Sequence, residues 1–406
     1  MSDPGSPNPF EGFPLFSDLA KLFGQGGRGV PWDSARSLAL AVATDNQSEP
    51  NVDPLERIKL EQLARVAELH VANVTGLSTT VTGRELTVLP VNRGLWVQRT
   101  LEDYRPLLEK LAGSLGSTDA LTQAADDPDL RSGFGDDDQF AAMLGPMIQA
   151  MQPMMVAMTA GSMVGHMARR SFGQYDLPIP RTPSDELLIL VPNLDEFGSE
   201  WSLPADDLRL WICLHEIAHH TVLGVPHVRA GLEALLSEYT TKFRNDPRAL
   251  EEHLGDLDIT GGPQSLASLQ QALGEPGALL GAIQSDEQRA LLPRLEALVA
   301  VVVGVVDHVM DDVGTKLISS YGMLTEALRH RRVETGEADR FVERLLGLEL
   351  TQTVYDRGSA FVEGVIERAG PNGLARLWDS AVMLPSPPEV DAPGLWLARI
   401  DLPDDV

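Results

Sequence analysis

The five residues His215-Glu216-Ile217-Ala218-His219 set two imidazoles four positions apart, with a carboxylate beside the first. On a helix, residues four apart share a face, so both rings can turn a nitrogen toward one divalent cation. Zinc lowers the pKa of a bound water, and a neighbouring carboxylate takes its proton as the water attacks a polarised carbonyl. The spacing therefore offers His215 and His219 as metal ligands and Glu216 as a general base, for metal-assisted hydrolysis. The competing use of such a pair is structural, as two histidines satisfied by hydrogen bonds inside a core.

A catalytic zinc needs a third protein donor. A third His ten positions after the first is absent, because that residue is Val225. His227 lies past Gly224 and Pro226, which end the helix, and is a weak candidate. His220 points about 100° away from His219 on an ideal helix and cannot easily share its ligand role. Farther along, "EALVAVVVGVVDHVMDDVG" (residues 296–314) places Asp307, His308 and Asp311 on a long apolar helix. Polar groups in such a run need partners, and a metal or a metal-bound His would be one. The alternative is that they open the solvent-exposed end of that helix. Cys213, the only cysteine, lies within the motif segment and reads as a buried thiol.

These groups require a frame. The motif helix is expected over about 204–223, after a strand in "ELLILVPN" and with Asp206 and Asp207 favourable in its first turn. "ELTVLPV" offers a second short strand. Leu55, Ile58, Leu60, Leu63, Val66 and Leu69 recur at helical spacing after Pro54, which suits a first turn. "GLWVQRTLEDYRPLLEKLAG" reads as another helix, strained near Pro106. Residues 140–168 carry no Asp, Glu, Lys or Arg and have Met every three or four positions. Gln149, Gln152, Pro146 and Pro153 argue for a central buried helix rather than a membrane span, and Gly161 and Gly165 would let another helix approach. Further helices are expected over 228–245, 264–274, 285–313, 316–332, 337–350 and 358–369. Residues 1–32, rich in Pro, Gly and Ser, read as a flexible arm with Phe10, Phe13 and Phe16 available for docking, and 117–138 as an acidic connection.

The fold expected is mainly α with a small β element near 86–91 and 186–192, and one compact unit over 33–400. The second site helix is placed at about 285–313. Of 406 residues, 43% are hydrophobic, enough for a large core, and only 5% are aromatic, which favours aliphatic helix packing. A formal charge of -27 repels phosphate backbones and anionic lipid heads, so no nucleic-acid partner and no peripheral membrane binding are expected. A single cysteine suits a reducing compartment, and the N-terminus lacks the basic start and apolar run of a secretory signal. A cytoplasmic location is therefore expected.

The chain resembles an actinobacterial family of zincin-like hydrolases, of unknown function and classed as zinc-dependent metalloproteases. The resemblance rests on the Met/Gly helix with "RRSFGQYDLPIP", on "LHEIAHH" followed by "VPHVRAGLEALL", and on "RLEALVAVVVGVVDHVMDDVG". It continues through "RRRVETGEADRFVERLLGLEL" and "GLARLWDSAVMLPSPPEVDAPGLWLARI". It implies a zincin-like fold around the motif helix, a Zn cofactor on His215 and His219, Glu216 as base, and a peptide or other amide or ester as substrate. It also implies a third ligand, a Glu on the long helix where relatives read Glu-Gly-aromatic-Val. Here those positions are Val303, Gly304, Val305 and Val306, and valine cannot bind zinc. Asp307 lies one turn beyond, where such sites often hold a carboxylate that orients a ligand His, and Asp307 or His308 becomes the possible third ligand. Two functions follow. One is a zinc metallohydrolase of peptidase type. The other is a degenerate pseudo-zincin that keeps the fold as a binding or scaffold protein.

Overall fold

The computed structural model describes residues 30–115, 138–242, 244–245, 282–283, 285–333 and 336–402. The expected arm up to residue 29, most of the acidic connection and the helix over 264–274 lie outside the described residues.

The chain opens with α1 (Trp32–Thr44) and α2 (Pro54–Thr75). Asp53 caps α2 by accepting from the Leu55 amide at 2.9 Å, Pro54 occupies its first turn, and Gly76 closes it in the left-handed conformation at φ 67°. Strand β1 (Thr87–Val91) leads into α3 (Arg93–Leu115), which carries Pro106 inside it. The Met-rich run forms α4 (Asp138–Arg170), with Met163 and Met167 buried. Among the described residues, no helix is long and apolar enough to cross a membrane. Gly161 and Gly165 do admit a close neighbour: a methyl group at 161 would sit 2.5 Å from the Ala35 carbonyl oxygen, and one at 165 would sit 2.6 Å from Val42 Cβ, both on α1.

β2 (Glu186–Leu190) pairs in parallel with β1, in register from Thr87 opposite Glu186 to Val91 opposite Leu190. The strand is shorter than its sequence suggests. Pro192 sits in the first turn of α5 (Val191–Glu200), where a missing N–H costs nothing, so the chain turns helical at once. The motif helix α6 (Ala205–Gly224) follows and is buried along nearly its whole length. α7 (Pro226–Thr241) comes next, then a two-residue antiparallel pair, β3 (Arg244–Asn245) with β4 (Ala282–Ile283).

The long apolar run forms α8 (Asp286–Leu317), opened by a reciprocal cap in which Ser285 and Gln288 each satisfy the other's backbone N–H. The helix expected over 316–332 is α9 (Tyr321–Val333), because α8 runs on to Leu317 and the break falls at residues 318–320. There the Ser319 hydroxyl and the Ser320 amide and hydroxyl all donate to Asp207 at the start of α6. α10 (Glu337–Leu346) and α11 (Gln352–Ala375) complete the body, the latter kinked at Gly370 with φ 69°. α12 (Pro387–Asp391) and α13 (Pro393–Ile400) close the chain.

α6 packs against α2 and α8. Buried Arg209 fixes its angle, donating to Glu56 on α2 at 2.7 Å and to Asp195 on α5 at 2.8 Å. The motif thus lies inside the core rather than on a surface.

Candidate metal centre

His215 and His219 sit on one face of α6, with ring centroids 4.4 Å apart and planes tilted by 54°. Trp211, one turn before, stacks on His215 at 5.0 Å, and Tyr175 stacks on His219 at 5.9 Å. His219 Nδ1 lies 3.1 Å from the His215 carbonyl oxygen. A carbonyl only accepts, so Nδ1 carries the proton and Nε2 is left bare, the tautomer a metal-binding imidazole needs.

Glu216 is fully buried. Its Oε2 accepts from the backbone amides of Gln174 at 2.6 Å and Tyr175 at 3.1 Å, and its Oε1 lies 3.1 Å from His215 Nδ1. Both carboxylate oxygens are therefore engaged by protein. The turn after α4 approaches so closely that a methyl group at Gly173 would lie 2.3 Å from Glu216 Cδ. Burial pushes the Glu216 carboxyl up to about 7, against the opposing pull of His219 and the two amides. Burial also drives His215 down to about 4, opposed by the charge of Asp176, and His219 down to about 3, helped by neighbouring His215. At neutral pH both rings are uncharged.

His215 opens onto a cavity of about 130 Å³ shared with Phe172, Asp176, Arg331, Arg332 and Tyr355. Asp176 accepts from the Phe172 amide at 3.1 Å and lies 3.6 Å from the Arg331 guanidinium, which itself lies over the Phe172 ring. The sequence marks "SFGQYDLPIP" only as a turn. It holds the amides that bracket Glu216 and also Asp176, whose charge acts on His215. The Tyr175-Asp176 pair stands five residues past the end of α4.

Asp307 and His308 are half-buried on α8. Burial pushes Asp307 up to about 6, with Arg332 opposing and Asp311 adding to the rise. Among the described residues, no three His, Cys, Asp or Glu side chains gather as a group able to hold a metal ion, so neither residue joins His215 and His219 in one. Val303 is buried at 1% exposure. Cys213 is fully buried and its thiol is pushed up to about 12 by burial, which leaves it unreactive.

A family model described as a zincin-like metallopeptidase matches residues 30–397. A solved structure from Chloroflexus aurantiacus, described as "a putative hydrolase with a novel fold", superposes with a TM-score of 0.58 over 92% of this chain and 99% of that one. At 22% sequence identity it speaks for the fold alone. No curated protein matches the chain.

Proposed function

This chain belongs to the zincin-like metallopeptidase family, and from that premise we propose that it is a member whose hydrolytic metal centre is incomplete and that works as a binding or scaffold protein. The family implies a zinc ion, held at a catalytic site by three protein donors with one position open. The residues present do not fit that ion. Two imidazoles are in place, but no third donor gathers with them among the described residues, and the position that the family resemblance assigns to the third ligand is Val303, buried in an apolar helix. That missing donor carries the reading. The state of Glu216 bears on it, since three of the carboxylate's roughly four acceptor sites face the Gln174 and Tyr175 amides and His215.

Metal analysis of the purified full chain tests this. The parent protein is expected to hold zinc far below stoichiometry and to show no zinc-dependent change in melting temperature. Val303→Glu should be destabilised by roughly 3 kcal/mol or more without metal, because it buries an unpaired carboxylate. It should recover on adding zinc, and only while His215 and His219 are intact. Stoichiometric zinc in the parent, lost in His215→Ala, would overturn the proposal.

Two observations favour a second reading, a zinc-dependent hydrolase of peptidase type with Glu216 as base. The His219 tautomer is already set for coordination, and Asp176 stands in the same cavity as His215. Under that reading Asp176 supplies the donor from outside the motif, and Asp176→Asn removes zinc as completely as His215→Ala does.

A further inference from the structure

The sequence of α2 carries more apolar residues than its buried face uses. Leu60, Ala64, Ala67 and Val71 are buried along one side of the helix. Leu55, Ile58, Val66 and Leu69 stay outside, at 61%, 54%, 41% and 61% exposure. At about 100° per residue these four fall, with exposed Gln62, in a strip within about 40° of one line, roughly 180° round the helix from the buried set. A surface helix ordinarily turns charged and polar residues to that side. A single exposed Leu needs no explanation, but a line of apolar side chains on a solvent-facing helix marks a surface that something covers.

The strip has a symmetry that narrows its occupant. Its members, at 55, 58, 62, 66 and 69, are spaced by 3, 4, 4 and 3 residues, the same read from either end. Two such helices laid antiparallel about a two-fold axis at Gln62 set Leu55 against the partner's Leu69 and Ile58 against the partner's Val66. A two-fold interface requires one patch to complement itself, whereas an unrelated partner sets no such condition on the spacing. Charge agrees with this pairing. Glu61 and Arg65 lie on the same flank of the strip, about 100° and 60° from its centre line. Like flanks meet in an antiparallel pair, so Arg65 of each copy comes within ~3 Å, along the axis, of the level of the partner's Glu61. Arg65 is exposed and makes no ion pair among the described residues. Glu61 meets Arg57 through one oxygen, at 2.8 Å, which leaves its other oxygen for a second cation.

We propose that the outer face of α2 joins two copies of this chain as an antiparallel helix pair, with Ile58 and Val66 packed about the central Gln62 and with Arg65 of each copy paired to the partner's Glu61. A strip about 21 Å long sits at the small end of specific interfaces, below the usual ~1,600 Å², so the dimer is of the reversible, micromolar kind. The net charge of -27 on each copy does not prevent it, because at 0.15 M salt exposed charges more than about 8 Å apart are largely screened. The strip faces away from the core, and the inference is independent of whether the motif holds zinc.

Sedimentation equilibrium of the full chain over about 1 to 300 μM tests it. The parent should pass from monomer to dimer with a micromolar dissociation constant and go no further, because a two-fold interface closes on itself. Ile58→Gln with Val66→Gln alters exposed side chains only and keeps good helix formers, so the fold is spared. It should weaken the dimer by about ten-fold or more. Orientation is read by exchanging charge. Arg65→Glu places like charges together at both edge contacts of its own dimer, and so does Glu61→Arg, so each alone should dimerise about ten-fold more weakly than the parent. Mixed, the two variants regain both ion pairs, and their heterodimer should form about as tightly as the parent dimer. The two substitutions move the net charge in opposite directions, so a general charge effect does not weaken both. A parent that stays monomeric throughout would overturn the proposal and leave the strip to residues 1–29 of the same chain or to a different protein. So would a dimer indifferent to the paired Gln change, or a mixture no tighter than its two components.

Discussion

Replacing Glu216 with glutamine is expected to stabilise the protein at pH 8 and to have little effect at pH 4.5. The glutamine keeps the shape, its oxygen can accept from the Gln174 and Tyr175 amides, and its NH2 can donate to His215 Nδ1. What it removes is a charge in a site with no solvent. Burial raises the Glu216 carboxyl from 4.5 to about 7 in the folded chain. A carboxyl raised on folding contributes stability that is fully present below the unfolded value and lost as pH climbs through the folded one. The loss for Glu216 therefore falls between about pH 4.5 and 7 and amounts to roughly 3 kcal/mol. His215, His219 and His220 act with the opposite sign. Burial holds them neutral, so their contribution is lost as pH drops from 6.5 toward about 4 for His215 and His220 and about 3 for His219. Those three rings are present in both proteins, so the difference between parent and variant isolates the carboxylate. Chemical denaturation from pH 5 to 8 should show the variant gaining steadily on the parent. Parallel stability curves would mean that Glu216 is ionised throughout, as an active base would be at neutral pH, and would favour the hydrolase reading.

The motif was legible because it is local. Four residues of helix place two rings on one face whatever lies around them, and that is how His215 and His219 stand. The partners of Glu216 were not legible, because they are backbone amides 42 and 41 residues upstream. An amide donor leaves no trace in residue type. The one trace it leaves here is Gly173, where the turn touches the carboxylate, and a glycine in a turn-rich segment suggests a bend long before it suggests a contact.

The mainly helical, zincin-like frame with its small β element follows from patterns that are themselves local: caps at Asp53 and Ser285, prolines in first turns, and β-rich segments at Thr87–Val91 and Glu186–Leu190. Ends decided by distant partners were harder to place. The break between α8 and α9 sits where two serines reach the Asp207 carboxylate, more than a hundred residues away. The helix expected over 358–369 starts earlier, at Gln352, but its end stands: Gly370 at φ 69° and ψ -177° is non-helical, and a short second run from Pro371 to Ala375 follows it.

Gly304→Ala should destabilise the protein by roughly 3 kcal/mol or more, the upper end of what overpacking costs. Intrinsic helix propensity predicts the reverse, a gain of about 1 kcal/mol for Ala over Gly inside a helix. The sign is decided by α11. A methyl group at 304 would lie 2.3 Å from the Gly358 carbonyl carbon, and one at 358 would lie 2.1 Å from the Ala300 carbonyl oxygen. Both obstacles are backbone, so no rotamer change relieves them and the two helices must separate. Separation opens a seam beside buried Val303 and moves the helix on which Val303→Glu would install a third metal donor. Gly358→Ala should cost as much, and the double variant should cost less than the two losses combined, because one parting of the helices accommodates both methyl groups. Gly322, in the first turn of α9, faces open space: a methyl group there would have nothing within 4 Å. Gly322→Ala should therefore gain a few tenths to about 1 kcal/mol by propensity alone. Denaturation of the four proteins against the parent reads all of this at once. A neutral or stabilising Gly304→Ala would show that α8 and α11 do not meet backbone to backbone.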